Sequence, residues 1–186
     1  MSFTWTSHRF SGGALALDVA NSVVLRFDPQ RRIDRFADGE AIDNFAEAAN
    51  LYGAEKERFG MLGAIGPERQ ASLIGLREAT DRHFRAQVRA EDRPELLADL
   101  LEAIAAAVRR PSERGKYIAL DVATAHSALS LIANPEPDRL KICPNCEWLF
   151  LDRSRNRSRT WCDMAVCGNR TKAKRHYRRN REETQP

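Results

Sequence analysis

The chain has 186 residues, 42% of them hydrophobic and 30% charged, which allows one large domain or two small domains with packed cores. Its most apolar N-terminal stretch, residues 14–25, is interrupted by Asp18 and Asn21, and no apolar run reaches the roughly 18 residues of a membrane span. We therefore expect no membrane partner, no signal peptide and a cytoplasmic location.

The net charge of +4 is divided unevenly along the chain. From residue 139 to the end, 13 Lys and Arg residues stand against 5 Asp and Glu residues, whereas the first 138 residues carry 17 against 21. A basic segment joined to an acidic one is typical of a module that contacts phosphate groups. The C-terminal segment is therefore the first candidate for a functional site.

The N-terminal residues 1–13 predict an extended arm that ends in a turn at Gly12-Gly13. The following segment fits both a strand and a helix, and a helix capped by Asp18 would reconcile the two patterns. Asp18 and Asn21 are the polar residues here. Both are candidates for contacting a small-molecule ligand, and helix capping is an equally compatible role for Asp18.

Apolar residues at helical spacing predict four further helices, and a short strand over Tyr117–Leu120 precedes the last of them. In chain order, the first of these helices ends at Gly53 and the second begins at Pro67. The third runs from Pro94 to a stop at Pro111, and the fourth covers Ala123–Ala133. The predicted fold class is therefore mainly α with a few short β-strands.

A short, stiff linker follows the last of these helices. The sequence Asn-Pro-Glu-Pro at residues 134–137 breaks the chain where its composition turns basic. We therefore place a domain boundary at residue 136. We expect residues 1–136 to fold without the C-terminal part, because their helices carry their own apolar stripes.

All four cysteines of the chain lie in the C-terminal segment. A CxxC pair and a CxxxxC pair, separated by 15 residues, group the thiols two and two, as a closed tetrahedral Zn²⁺ site requires. Two disulfides fit a chain without a secretory segment less well, and a redox CxxC should open a helix, whereas Pro144-Asn145 predicts a turn. The predicted zinc ligands are Cys143, Cys146, Cys162 and Cys167.

Apolar residues on either side of the CxxC pair predict two short strands and thus a small zinc-knuckle hairpin whose metal is held by four cysteines. Leu140 and Ile142 lie on the first strand, and Trp148 and Phe150 lie on the second. After the third cysteine the pattern predicts a basic helix to about residue 179. Residues 137–186 would therefore combine a hairpin, a metal site and a basic helix.

Ten basic residues of this C-terminal part are candidates for binding nucleic acid. Four arginines alternate along a segment that, if extended, would point all of them to one side, and six residues lie on the predicted helix. A charge run is ordinarily a solvated face. Here one sign dominates, and like charges on neighbouring turns destabilise a helix by about 0.2 to 0.5 kcal/mol per pair unless an anion relieves them. The candidates are Arg153, Arg155, Arg157 and Arg159, and then Arg170, Lys172, Lys174, Arg175, Arg178 and Arg179.

Two segments resemble known families. The run from Cys143 to Arg170, with LFLDRSR and the CGNR motif at Cys167–Arg170, resembles the CGNR zinc-finger family, to whose C-terminal finger DNA binding is ascribed. The segment GGALALDVANS, residues 12–22, resembles the ABATE domain that usually precedes this finger, a family of stress-induced transcription regulators with an ascribed ligand-sensing role. The resemblance implies an ABATE-like sensor domain over residues 1–136 and a CGNR-type finger over residues 137–186.

These observations favour a transcription regulator that binds duplex DNA through its finger and a small-molecule effector through its helical domain. Two other classes stay open, namely an RNA-binding or ribosome-associated finger and a zinc-thiol module for protein interaction or redox chemistry. We expect no enzyme, because no nucleotide-binding motif, paired-carboxylate motif or Ser/His/Asp arrangement stands out. A homodimer would enlarge the small interface that a single finger offers to DNA.

Overall fold

The structure, a computed structural model, describes residues 3–109 and 117–173. Its helices are α1 (Leu15–Ala20), α2 (Gly39–Tyr52), α3 (Lys56–Phe59), α4 (Pro67–Val88), α5 (Pro94–Val108) and α6 (Leu120–Ala133). Its strands are β1 (Val23–Val24), β2 (Ile33–Asp34), β3 (Leu62–Gly63), β4 (Ile118–Ala119), β5 (Leu140–Ile142) and β6 (Leu149–Leu151). A 3₁₀ turn, Ser7–Phe10, precedes α1, and a π-helical turn, Met164–Gly168, leads into helix 169–173.

This composition confirms the predicted fold class, mainly α with a few short strands. Pro67 and Pro94 each lie in the first turn of their helix, where the fixed φ of proline is compatible with helix and its missing N–H costs nothing. α2 follows Asp38, whose carboxylate accepts a hydrogen bond from the N–H of Glu40 at 3.0 Å. No helix in the described ranges is long and apolar enough to cross a membrane.

Residues 15–20 form a helix, and the capping role predicted for Asp18 is wrong. Ala14 occupies the N-cap position, and Asp18 lies inside the helix. The Asp18 carboxylate instead accepts a hydrogen bond from the N–H of Gly12 at 2.8 Å, before the helix begins. A side chain on Gly12 would collide with this carboxylate, because a Cβ atom there would lie 2.7 Å from Asp18 Oδ1.

The described strands form three small two-stranded sheets. β1 pairs with β2 and β5 with β6, both antiparallel, whereas β3 and β4 are parallel. β4 is shorter than the strand predicted over Tyr117–Leu120, because Leu120 already begins α6. The predicted stop of α5 at Pro111 lies outside the described residues.

Two buried apolar clusters fill the helical part. One surrounds Phe45 and joins α1, α2 and α6, and the other lies among α4, α5 and α6. The second cluster also contains Leu140, Leu149 and Leu151 of the C-terminal hairpin. The hairpin therefore completes the core of the helical part. The independent folding of residues 1–136 stays a prediction, and this shared core argues against it.

Candidate metal centre and nucleic-acid interface

The β5–β6 hairpin carries the first pair of cysteines on the turn that joins its strands. The N–H of Cys143 donates to the carbonyl of Trp148 at 2.8 Å, and the N–H of Glu147 donates to the carbonyl of Cys143 at 2.8 Å. Glu147 has a left-handed backbone, with φ of 63°, which turns the chain back after Cys146. The predicted knuckle hairpin is confirmed.

The second pair of cysteines comes from the π-helical turn. Cys162 lies two residues before this turn and Cys167 lies within it, and their Sγ atoms are 3.7 Å apart. Asp163 caps the turn, because its Oδ1 accepts a hydrogen bond from the N–H of Ala165 at 2.7 Å. The cap fixes the backbone between the two thiols.

All four predicted ligands meet at one point. Their Sγ atoms lie within 4.8 Å of one another, and the Cys146 and Cys162 Sγ atoms are 3.5 Å apart. Tetrahedral zinc, with Zn–S bonds of about 2.3 Å, places its sulfur ligands about 3.8 Å apart, and the Cys146–Cys162 and Cys162–Cys167 separations of 3.5 and 3.7 Å lie near that value. The four cysteines therefore form a metal site.

The electrostatics of the cluster also favour a cation. The Cys143 thiolate accepts hydrogen bonds from the neighbouring thiols, which lowers its pKa, whereas Cys146 is a donor to Cys143 and its pKa is raised. This opposition arises because one thiolate disfavours a second thiolate beside it. A divalent metal removes the conflict, since it stabilises all four thiolates at once.

The aromatic residues near the metal site are packed inside the finger. Phe150 and Trp148 are buried in one cluster with Cys143, Cys162 and Cys167, and Trp161 is half-buried against it. Val24 from β1 joins this cluster. The aromatic rings therefore form the small core that supports the metal ligands.

Residues 152–159, here named the arginine turn, fold around the carboxylate of Asp152. It accepts hydrogen bonds from the N–H of Ser154 at 2.9 Å, the N–H of Arg159 at 2.8 Å and the ammonium of Lys141 at 2.7 Å. Burial raises the pKa of Asp152, but these bonds outweigh it and hold that pKa well below the usual value. The segment does not adopt the extended conformation that would point all four arginines to one side, because the side chain of Asp152 competes successfully for its backbone.

The arginine turn exposes three of its four arginines. Arg153 pairs with Glu136 at 3.1 Å, and Arg157 pairs with Asp138 at 2.9 Å. Arg155 is exposed and forms no hydrogen bond or ion pair with any residue that the structure describes. Exposed ion pairs contribute only about 0 to 1 kcal/mol, so a phosphate group could replace the carboxylates. These three positions remain open to an anionic partner.

Other basic residues brace the finger from inside. The guanidinium of Arg159 donates to the carbonyl of Cys162 and lies 5.2 Å from the ring centroid of Phe150. Arg139 donates to the carbonyl of Asp152 at 2.8 Å. The nucleic-acid contact of Arg159 stays a prediction, but its guanidinium already has an internal role beside a metal ligand.

The terminal helix adds two exposed basic residues. Arg170 and Lys172 lie on helix 169–173 with their side chains exposed. A cleft of about 390 Å³ separates this helix from the arginine turn, and it is lined by Thr160, Trp161 and Lys172 among others. The turn and the helix therefore border one surface. The remaining predicted contacts, Lys174, Arg175, Arg178 and Arg179, lie outside the described residues.

The N-terminal arm packs against the finger. His8 Nδ1 lies 2.8 Å from Asp163 Oδ2, and the His8 ring stacks on Trp148 with centroids 5.4 Å apart. The guanidinium of Arg9 lies 5.5 Å from the Trp148 ring centroid. Burial raises the pKa of Asp163, but the hydrogen bonds from His8 and from the backbone of the π-helical turn together lower that pKa by more, so it lies below its usual value. This arm is therefore a structural part of the metal centre.

Asn21 connects the helical part to the hairpin. Its Nδ2 donates to the carbonyl of Leu149 at 2.8 Å, and the N–H of Leu149 donates to its Oδ1 at 3.0 Å. Asn21 is 3% exposed and Asp18 is 1% exposed. Burial, followed by the charge of Glu55, raises the pKa of Asp18 well above its usual value despite the hydrogen bond from Gly12. The predicted ligand contacts of Asp18 and Asn21 stay predictions, although neither side chain reaches solvent.

Sequence reasoning did not identify the residues that support the site. The Asp152-Arg153-Ser154 spacing is a signal for a side-chain-to-backbone turn, and it could have revealed the arginine turn. His8 carries no comparable signal, because its partner Asp163 lies 155 residues away in the sequence. Only the tertiary fold shows that contact.

The comparisons with known families divide the chain at the proline-rich linker. Residues 13–135 match the ABATE family, described as "Putative stress-induced transcription regulator", and residues 139–180 match the CGNR zinc finger. The search of curated proteins gave no match. The finger match contains the whole four-cysteine site. Because the first match covers more than half of its residues, this chain belongs to the ABATE family, and it carries a C-terminal CGNR zinc finger.

Proposed function

We propose that this protein is a transcription regulator of the cytoplasm that binds duplex DNA through its finger and a small-molecule effector through its helical domain. The observation that carries the DNA-binding part is that the arginine turn and the terminal helix border one cleft and that both carry exposed basic residues. Arg155 lies on the arginine turn, and Arg170 and Lys172 lie on the helix. The protein acts by binding, not by catalysis.

The proposed metal is zinc in a structural role. Four cysteine thiolates form a closed tetrahedral set, and a closed set leaves no position for a substrate or a reactive water. Three of the four thiols are buried and Cys146 is half-buried. This enclosure favours a scaffold over a redox or thiol-transfer centre, because reactive thiols are accessible to their partners.

Duplex DNA is a better partner than single-stranded RNA when the aromatic residues are considered. Proteins that bind single strands stack bases on exposed rings, whereas Trp148 and Phe150 are buried in the finger core. A basic helix fits the major groove, where arginine pairs bidentately with guanine. The arginine turn would contact the phosphate backbone beside it.

A salt titration of DNA binding tests this proposal. Each neutralised phosphate gives log K against log salt a slope of about −0.9, so removing two contacts should reduce the slope by about 2. The variant is Arg155→Glu with Lys172→Glu, and its control is Lys56→Glu with Arg58→Glu, which changes the net charge equally at exposed positions of α3. We expect wild type and control to share one slope and the finger variant to lose affinity and slope.

The same titration with single-stranded RNA separates the alternatives. Equal slopes for the finger variant and its charge-matched control would contradict DNA binding by the finger. Tighter binding of single-stranded RNA than of duplex DNA by the wild type would favour the RNA-binding class instead. Zinc content is measured in each sample, so that loss of metal is not mistaken for loss of a contact.

A further inference from the structure

A second cleft, of about 490 Å³, lies in the helical part and is formed by the loop between β1 and β2, the last turns of α4 and the start of α5. Its lining contains six arginines and three acidic residues. The arginines are Arg26, Arg32, Arg82, Arg85, Arg89 and Arg93. No finger residue that the structure describes lines it, so this cleft is distinct from the surface proposed for DNA.

Two of the three acidic residues of the cleft already bind arginine side chains of the protein. Glu78 accepts hydrogen bonds from Arg77 at 2.9 Å and from Arg26. Both carboxylate oxygens of Asp81 are bound by Arg85, at 2.7 and 3.1 Å. Because these carboxylates are occupied by buried guanidinium groups, they do not repel an anion from the cleft as strongly as free acids would.

Two arginines of this cleft also keep N–H groups that these carboxylates do not bind. Arg89 is 51% exposed, and its nearest acidic partner is Glu91 at 3.9 Å, too far for a hydrogen bond. Arg85 Nη1 forms no hydrogen bond with a residue in the described ranges. Two guanidinium groups therefore have donors available on one wall.

An exposed aromatic ring lies beside these donors. Phe27 is 53% exposed, and the guanidinium carbons of Arg85 and Arg89 lie 4.8 and 5.8 Å from its ring centroid. A single exposed apolar side chain is common on protein surfaces, but this ring lies in a concave site of ligand size beside two guanidinium groups. The combination of a ring face and two guanidinium groups matches a molecule that is planar and anionic.

We propose that this cleft binds a small aromatic carboxylate. The ligand ring would pack on Phe27, and its carboxylate would accept charge-assisted hydrogen bonds from Arg89 and Arg85. The cleft volume lies in the range of small-molecule sites. This assignment rests on the sensor role proposed above, because it gives that sensor a site and a ligand class.

The probe is 2-naphthoate, titrated calorimetrically into the zinc-loaded full chain. The uncharged 2-naphthamide tests the need for charge, and inorganic phosphate tests the need for a ring. Arg89→Gln and Phe27→Leu change the cleft. Arg58→Gln is the matched control, because Arg58 is 46% exposed and lies 5.0 Å from the centroid of Phe59 outside the cleft.

We expect naphthoate to bind wild type and Arg58→Gln equally and to bind Arg89→Gln about tenfold or more weakly, since a charge-assisted hydrogen bond is lost. Phe27→Leu should weaken binding as well. Equal binding of naphthamide or of phosphate, equal loss in Arg58→Gln, or no binding of naphthoate would overturn the assignment. If naphthoate binds in the cleft but leaves DNA affinity unchanged, the site stands and its sensor role fails.

Discussion

At the residue scale, Asn21 and Asn50 make the same contact in two different places. Each side-chain amide pairs with both backbone groups of one leucine, Asn21 with Leu149 and Asn50 with Leu62. The first contact crosses from the helical part to the finger, and the second stays within the helical part. Substituting each asparagine in turn therefore distinguishes a loss of stability within the helical part from a loss of its attachment to the finger.

Asn21→Ala should destabilise the protein, because it leaves a buried N–H and a buried carbonyl of Leu149 without partners. Each unsatisfied group costs about 1 to 3 kcal/mol, and urea denaturation measures the sum. Asn50→Ala should show a smaller loss, since its contact is partly exposed. Asn21→Ala, and not Asn50→Ala, should also speed the removal of zinc by a chelator. Equal chelation rates would contradict the attachment role of Asn21.

Asp18 should make stability depend on pH. Its folded pKa is raised by burial above an unfolded value of about 3.9, so the folded state binds the extra proton. Its contribution is complete below about pH 4 and is lost as the pH rises toward the folded pKa. Asp18→Asn removes this dependence, so its stability relative to wild type should increase between about pH 4 and pH 7. Urea titrations across this range measure the difference, and a difference that does not change with pH would contradict this role of Asp18.

At the element scale, the arginine turn depends on one carboxylate. Asp152→Asn removes the charge that holds Lys141 and the backbone of the turn, and the turn positions Arg159 against the carbonyl of Cys162. Loss of groups that orient metal ligands weakens metal affinity about 10- to 100-fold, and we expect about tenfold here. Competition with a zinc chelator measures it. Asp138→Asn removes only an exposed partner of the turn and should leave zinc affinity unchanged.

The elements that the sequence predicted are those with local signals. Pro67 and Pro94 indicated helix starts through their fixed φ, the cysteine spacing indicated the metal ligands, and the apolar residues beside the CxxC pair indicated the hairpin. The arginine turn was not predicted, since alternation of charge says nothing about a buried Asp152 that binds the backbone. The contacts of His8 and Asn21 were not predictable, because they join segments more than a hundred residues apart.

At the scale of the whole molecule, the hairpin leucines lie in the helical core, so the metal should stabilise the entire chain. Structural zinc contributes about 10 to 16 kcal/mol of apparent binding energy in finger peptides. We expect chelation to lower the urea midpoint of helix loss, followed by circular dichroism, together with that of cysteine exposure, followed by thiol reactivity. Adding zinc back should restore both. Exposure of the thiols with no change in the helical midpoint would instead support independent folding of residues 1–136.

That the finger binds DNA and the helical part binds an effector stays a prediction, as does the homodimer. A single finger buries a small surface on DNA, so a second copy or a two-part contact would be required for high specificity. The arginine turn and the terminal helix together offer such a two-part contact within one chain. Sedimentation of the zinc-loaded protein with a bound duplex would show whether one or two copies are present.

Selection of bound sequences from a pool of random duplex DNA tests the central claim most directly. The zinc-loaded protein should enrich one short sequence, whereas the Arg155→Glu/Lys172→Glu variant should enrich it far less at equal zinc content. The charge-matched Lys56→Glu/Arg58→Glu variant should select the same sequence as the wild type. Enrichment of no sequence by the zinc-loaded wild type, or of the same sequence equally by all three proteins, would contradict a DNA-reading role for the finger.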